Sequence, residues 1–221
     1  EPEPAPEPAG PSDLASPSPC GPIDPIAFDA NVTGSLAVDL IGDGTADDEL
    51  VGYEVAGQWY LRATVGGVVS EVELADSAWP QGVRPLGLAD VGAITPGPEI
   101  LSVIGGGVSA KWIGIHGLDA ERCLFEFTQN GGPLDGFIDW SASFIDTFGC
   151  LTGDTVFGTS GFWRAVYVNH GPDDWSASSA AYHESTPGDF TYIGASDDYS
   201  EFLTDADLPA QIFDCPEVLA P

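Results

Sequence analysis

The chain has 221 residues, 43% of them apolar, with 28 glycines and 19 prolines, so it can bury an ordinary core and suits short strands better than long helices. Its 35 acidic residues face 5 basic ones, a formal charge of -30. That balance excludes binding to nucleic-acid backbone or to anionic lipid, which need a cationic face, and it favours cations, basic peptides or the counter-ions of a salty medium. The plain alternative is a solubility or salt-adaptation shell with no partner. Residues 1–19, EPEPAPEPAGPSDLASPSP, read as a disordered Pro/Glu-rich linker. Alternating Glu-Pro forms neither helix nor ladder, because proline lacks the N–H and restrains the residue before it. Such a spacer is extended and holds a domain away from an anchor or a neighbour.

Residues 20–221 read as a single all-β domain with an internal repeat. Three segments open with an apolar strand that ends in Asp: SLAVDLIGDG (35–44), PLGLADVGAI (85–94) and ASFIDTFGCL (142–151). The aligned aspartates are Asp39, Asp90 and Asp146. A second apolar run follows in each: DELVGYEVAG, PEILSVIGGG and GDTVFGTSG. A third carries Trp59, Trp112 or Trp163, and a fourth closes the unit. In the stretch from Trp59 to Val65, the residues Trp59, Leu61, Ala63 and Val65 fall on one face, as alternation in a strand requires. The expected fold is three four-stranded antiparallel blade-like repeats, at 35–84, 85–136 and 142–195, stabilised by disulfides. They would make a small or incomplete propeller or a prism-like body. Three blades leave open edges, which a compact domain would close with its terminal segments or pair with another chain.

The stretch Asp39-Leu40-Ile41-Gly42-Asp43-Gly44-Thr45-Ala46-Asp47-Asp48-Glu49-Leu50-Val51 resembles the FG-GAP/VCBS type of integrin-like propeller repeat. The resemblance is clear over residues 35–66 and degenerate in the two later repeats. It implies a bacterial extracellular propeller whose loop binds calcium and which serves adhesion or ligand binding. The residues agree in part with that chemistry, since calcium takes oxygens at alternate positions of a tight turn with a glycine at the bend. Asp39, Asp43, Thr45 (through its carbonyl) and Asp47 fall at such positions, with Gly44 at the bend and Asp48 or Glu49 in reserve. Ile41 and Leu50 stand where further ligands would be expected. The expected cofactor is therefore a weak structural calcium ion, against a loop held only by Asx-type hydrogen bonds.

The four cysteines, Cys20, Cys123, Cys150 and Cys215, have no metal-ligand spacing and read as two disulfides. Three pairings exist; the expected one is Cys20–Cys215, tying the ends, with Cys123–Cys150 tying neighbouring repeats. No apolar run is long enough to span a membrane. The chain contains no Met, so it is expected to be a processed product or a fragment; a removed signal peptide would fit the disulfides and place it outside the cell or on its surface.

The search for catalysis finds little. Gly158-Thr159-Ser160-Gly161 lacks the spacing of a nucleophile elbow, and Gly105-Gly106-Gly107 has no helix behind it to hold phosphate. His116 and His170 each end a third strand before Gly; His170 with Asp173 and Asp174, and His183 with Glu184, are the acid–base or metal candidates. Asp135 and Asp139, or any other two carboxylates, could in principle form a glycosidase pair, but with 35 acids such pairs arise by chance. Trp175 and Tyr182, in the stretch 171–185, suit sugar or peptide recognition if exposed and are core residues otherwise. The expectation is a secreted, non-catalytic binding or adhesion module for a protein or glycan. A structural component that oligomerises through strand edges and a hydrolase with a carboxylate site are the alternatives.

Overall fold

In the computed structural model the first alternating run becomes a separate sheet. Described are residues 20, 23–74, 82–89, 91–92, 94–95, 97–106, 110–129, 132–141, 143–151, 160–172, 174–194, 200–203 and 213–215. Strands β1 (Asn31–Val38), β2 (Asp48–Val55), β3 (Gln58–Val65) and β4 (Val68–Leu74) form a four-stranded antiparallel meander. Two-residue turns join its last three strands. Gly66 and Gly67 both have positive φ (54° and 83°), the conformation that matches a hairpin turn to the twist of its strands. One face carries Leu50, Leu61, Ala63, Val65, Val72 and Leu74 into a core. The other carries the stacked rings of Tyr53 and Tyr60 and the Arg62–Glu71 ion pair (2.8 Å). Arg62 also donates to the carbonyl of Asp24 (2.9 Å), which holds the N-terminal segment against this face.

Strands β5 (Arg84–Ala89), β6 (Glu99–Gly106), β7 (Lys111–Leu118) and β8 (Leu124–Glu126) form a second antiparallel meander. The short β9 (Thr128–Gln129), β10 (Gly132–Pro133) and β11 (Asp135–Trp140) follow. A third meander comprises β12 (Phe144–Leu151), β13 (Gly161–Gly171), β14 (Asp174–Thr186) and β15 (Asp189–Gly194). Near the end, β16 (Ser200–Leu203) pairs with β14 and β17 (Phe213–Asp214) pairs with β12. The fold is all-β, and no helix occurs among the described residues. Consequently no described helix is long and apolar enough to cross a membrane.

The second and third meanders are not separate sheets. Strand β11 pairs with β7 through residues 135–138 and with β12 through 139–140. On the far side, β8 pairs with β7 while β9, one residue further along the chain, pairs in parallel with β15. Phe127 lies between them and donates its N–H to Ile115 (3.1 Å). The pairings thus run in a closed circuit through β7, β11, β12, β13, β14, β15 and the 124–129 segment, around a core that includes Phe127, Phe148, Phe162 and Phe190. Closure of this kind removes sheet edges. Closure was expected from the terminal segments; an internal segment supplies it. The first sheet packs onto the second meander through a core shared by Leu50, Val83, Ile100 and Leu124.

The third repeat is also displaced from its expected alignment. Asp146 does not follow a strand but sits inside β12, opposite Val166 and Asp139. The 142–151 run is flanked on one edge by β11, a strand of sequence DGFIDW that was not expected because its polar and apolar residues do not alternate cleanly. Counted from β11, Trp163 falls on the third strand, as Trp59 and Trp112 do in theirs. Trp112 pairs with Gly105 and Trp163 with Gly149, and the Trp163 ring lies over Gly149. Most of the expected run 153–161 lies outside the described residues.

The disulfide pairing is Cys20–Cys123 and Cys150–Cys215, with Cα–Cα distances of 5.3 and 4.8 Å, not the end-to-end pairing expected. Register explains both bonds. Cys20 bridges to Ser70 on β4, and the Ser70 hydroxyl accepts the Leu124 N–H (3.0 Å), which brings Cys20 beside Cys123. Phe213 and Asp214 pair with Phe148 and Gly149, so Cys215 arrives beside Cys150.

Candidate functional site

The acidic loop between β1 and β2 is organised by its own backbone. The Asp39 carboxylate accepts N–H groups from Gly42 (2.7 Å), Asp43 (3.1 Å) and Gly44 (2.7 Å). Asp43 accepts the Thr45 N–H (2.8 Å). Gly42 and Gly44 both have positive φ, which permits the bend. Asp43, Thr45 and Asp47 are exposed, and Asp39 is half-buried. Asp48 differs from the other four expected ligands. It is 2% exposed and accepts the N–H of Leu40 (2.9 Å) on one oxygen and of Gly66 (3.0 Å) on the other. It therefore ties the base of the loop to the β3–β4 turn. Among the described residues no three His, Cys, Asp or Glu side chains are gathered as a group that could hold a metal ion.

The second meander repeats this tie with a different outcome. Glu99 opens β6 as Asp48 opens β2, and it accepts the Val91 N–H (2.7 Å) eight residues back, as Asp48 accepts that of Leu40. Glu99 is 1% exposed, and its second oxygen, Oε1, has no hydrogen-bond partner among the described residues. That oxygen lies against Gly92, and Glu184 Oε2 approaches within 3.4 Å of the point where a Cβ on Gly92 would sit. Glu184, on β14, is 2% exposed. It accepts the N–H groups of Ile94 (2.7 Å), Thr95 (2.8 Å) and Gly188 (3.0 Å) and the Thr95 hydroxyl. Burial pushes the Glu99 carboxyl up to about 7, against backbone donors that favour its charge, and Glu184 pushes it further. Burial also acts on Glu184, but its donors outweigh it and hold that carboxyl below its ordinary value. Asp90 lies outside the described residues. The sequence carried one signal for this pair: Glu99 and Asp48 stand at the same place before an apolar run.

The remaining candidates are dispersed. Asp146 is fully buried and forms a two-pronged ion pair with Arg164, while Asp139 stands opposite it with one buried oxygen that has no partner among the described residues. Burial raises the Asp146 carboxyl and Arg164 opposes the rise. The side chain of Asp135 lies outside the described ones. His116 is fully buried with neither ring nitrogen partnered among the described residues; burial alone pulls its pKa down to about 4. Ser102, on the same sheet, is buried and its hydroxyl has no partner among the described residues. His170 Nε2 lies 2.8 Å from Ser176 Oγ, and Asp173 lies outside the described residues. His183 and Glu184 are consecutive on β14, so their side chains take opposite faces and do not form a pair. Gly158 and Thr159 lie outside the described residues.

Trp175 is not a surface aromatic. It is 4% exposed, on β14 opposite Asn169 and Leu203. Tyr182 is half-buried against the larger core and meets Tyr192 edge-on at 5.9 Å; Tyr192 is the exposed ring of the two. Of the stretch 171–185, residues 174–185 belong to the thirteen-residue strand β14. All four cysteines are bridged.

Fold and sites together define a disulfide-bridged all-β protein with a backbone-braced acidic loop at one end of its first sheet. Compared with family models, curated proteins and solved structures, the chain matches none.

Proposed function

We propose that the protein is a secreted or cell-surface binding module, without catalytic function, that meets cationic ligand chemistry at the loop from Asp39 to Asp47. The observation that carries this reading is the bracing of Asp39 by three backbone N–H groups. A loop held in this way displays Asp43 and Asp47 without having to order itself on binding. Two disulfides agree with an oxidising, extracellular setting. Calcium fits this donor set in part. Asp39, Asp43, Asp47 and the Thr45 carbonyl would hold it, and Asp48 would serve as a brace behind them. The ion would neutralise the loop's charge; the chain's own donors orient Asp39. Calorimetry with calcium on chelator-treated protein should give heat and a thermal shift by the millimolar range, and silence in both would retire the site. A glycan and basic-peptide array on the whole chain tests the wider reading, and binding that survives Asp43→Asn with Asp47→Asn would move the site elsewhere.

A second reading, assembly into an extracellular array, is favoured by β1. It is an uncharged edge strand, NVTGSLAV, with Val32 and the nearby Phe28 exposed. Light scattering over a concentration series decides it, since a strict monomer removes the assembly reading.

A further inference from the structure

The first and second meanders satisfy their equivalent carboxylates differently. Both Asp48 oxygens meet backbone N–H donors. One Glu99 oxygen accepts the Val91 N–H; for the other, Oε1, no hydrogen-bond partner occurs among the described residues, and it lies against Gly92 at a point that Glu184 Oε2 also approaches. Burial first, and the nearby Glu184 charge second, disfavour the ionised form of Glu99, and a buried oxygen without a donor is costly. A single proton resolves both problems. Carried on Glu99 Oε1, it would supply a donor on the side that Glu184 approaches, and Glu184's own donors hold that group as the anion.

We propose that Glu99 and Glu184 share one proton and act as a pH-sensitive clasp between the second and third meanders, closed while Glu99 is protonated and loosened when it ionises beside Glu184. The clasp reaches the 91–95 segment from both sides: Glu99 holds Val91, and Glu184 holds Ile94 and Thr95. Among the described residues few groups face Glu99. From β14 it meets Glu184, and the 91–92 segment presents backbone N–H groups. His116 belongs to the opposite face, since it pairs with Ile100, the neighbour of Glu99 on β6. The rise of the Glu99 carboxyl to about 7 places the opening near neutrality.

The sign follows from proton counting. Between an ordinary 4.5 and about 7 the folded chain keeps a proton that the unfolded chain has lost, so this group's contribution to stability falls as pH rises through that window. Glu99→Gln imitates the protonated form at every pH, because its amide N–H can donate to Glu184. The readout is the gap in thermal midpoint between this variant and the wild type, in which the titration of His116 cancels. From pH 4.5 to 8 the gap should widen in favour of Glu99→Gln by up to roughly 10 °C for a chain of this size. Parallel profiles would overturn the proposal. Should the variant fail to fold, the wild type decides. A protonated-carboxyl infrared band should persist at pH 6 and vanish by pH 8.5, with the amide resonances of Ile94 and Thr95 shifting at the same midpoint. Absence of the band at pH 6, or pH-invariant amides, overturns the clasp.

Discussion

His116 carries two ring nitrogens into a fully buried site on β7 where neither finds a partner among the described residues. Its pKa is pulled to about 4 by burial alone, so between about pH 6.5 and 4 the unfolded chain binds a proton that the folded chain refuses. Stability is therefore intact above that window and lost as pH falls through it, by about 2 kcal/mol at pH 5 for this residue alone. His116→Leu should abolish that loss, and at pH 7.5 it should be neutral or stabilising by about 1 kcal/mol because it removes two unsatisfied polar atoms. Urea denaturation at pH 5 and 7.5 checks both parts; a variant that loses stability equally at the two pH values would show that the imidazole has a partner. Glu99 titrates with the opposite sign over an overlapping range, so the two residues flatten each other's slope in the wild type. Histidine at this position read from the sequence as a turn-edge residue. Only the pairing of β7 between β6 and β8 seals it, and that pairing is tertiary information.

At the scale of the element, the first meander was the most legible part of the chain. Its strands alternate, its turns carry glycine, and Trp59, Leu61, Ala63 and Val65 take the expected face. Asp48 was legible as an acidic loop residue but not as a brace, because its two donors come from Leu40 and from Gly66, eighteen residues later. Asp48→Ala would leave both N–H groups without their acceptor and should cost about 2–4 kcal/mol in chemical denaturation, whether or not calcium is present. A cost that appears only with calcium would make Asp48 a ligand instead. The approach of the first sheet to β5 is equally specific. A Cβ on Gly52 would meet the Val83 carbonyl, a backbone group that cannot swing aside. Gly52→Ala should therefore destabilise by about 2–3 kcal/mol, more than Gly57→Ala, where the added Cβ meets nothing and the cost is limited to its positive φ. The third unit was the least legible. Its expected alignment rested on Asp146, and that residue belongs to the ion pair with Arg164 inside a strand.

At the scale of the molecule the second and third units answer part of the edge problem together, while β1 remains an edge. A chain of pairings from β7 round to β15 returns to β7 through the 124–129 segment; one disulfide ties Cys20 to Cys123, just before β8, and the other ties Cys215 to β12, instead of joining the ends. The connectivity was not legible because four cysteines allow three pairings, and only register places Cys20 beside Cys123. Cys20 and Cys123 are 103 residues apart, Cys150 and Cys215 65 apart; loop entropy gives each bond about 4–5 kcal/mol, of which engineered removals commonly show 2–4. Charge acts at the same scale. With 35 acids against 5 bases the folded chain repels itself, and salt should raise its thermal midpoint by screening. Screening is blind to position, whereas a calcium site is not. Calcium at matched ionic strength should therefore add an increment beyond that of sodium chloride, saturating in the millimolar range. Asp43→Asn with Asp47→Asn should lose that increment while keeping the response to sodium chloride, since these two exposed carboxylates are a small part of the total charge. An increment that survives the double substitution would assign calcium to the general acidic surface and leave the loop as a turn braced by Asp39 and Asp48 alone.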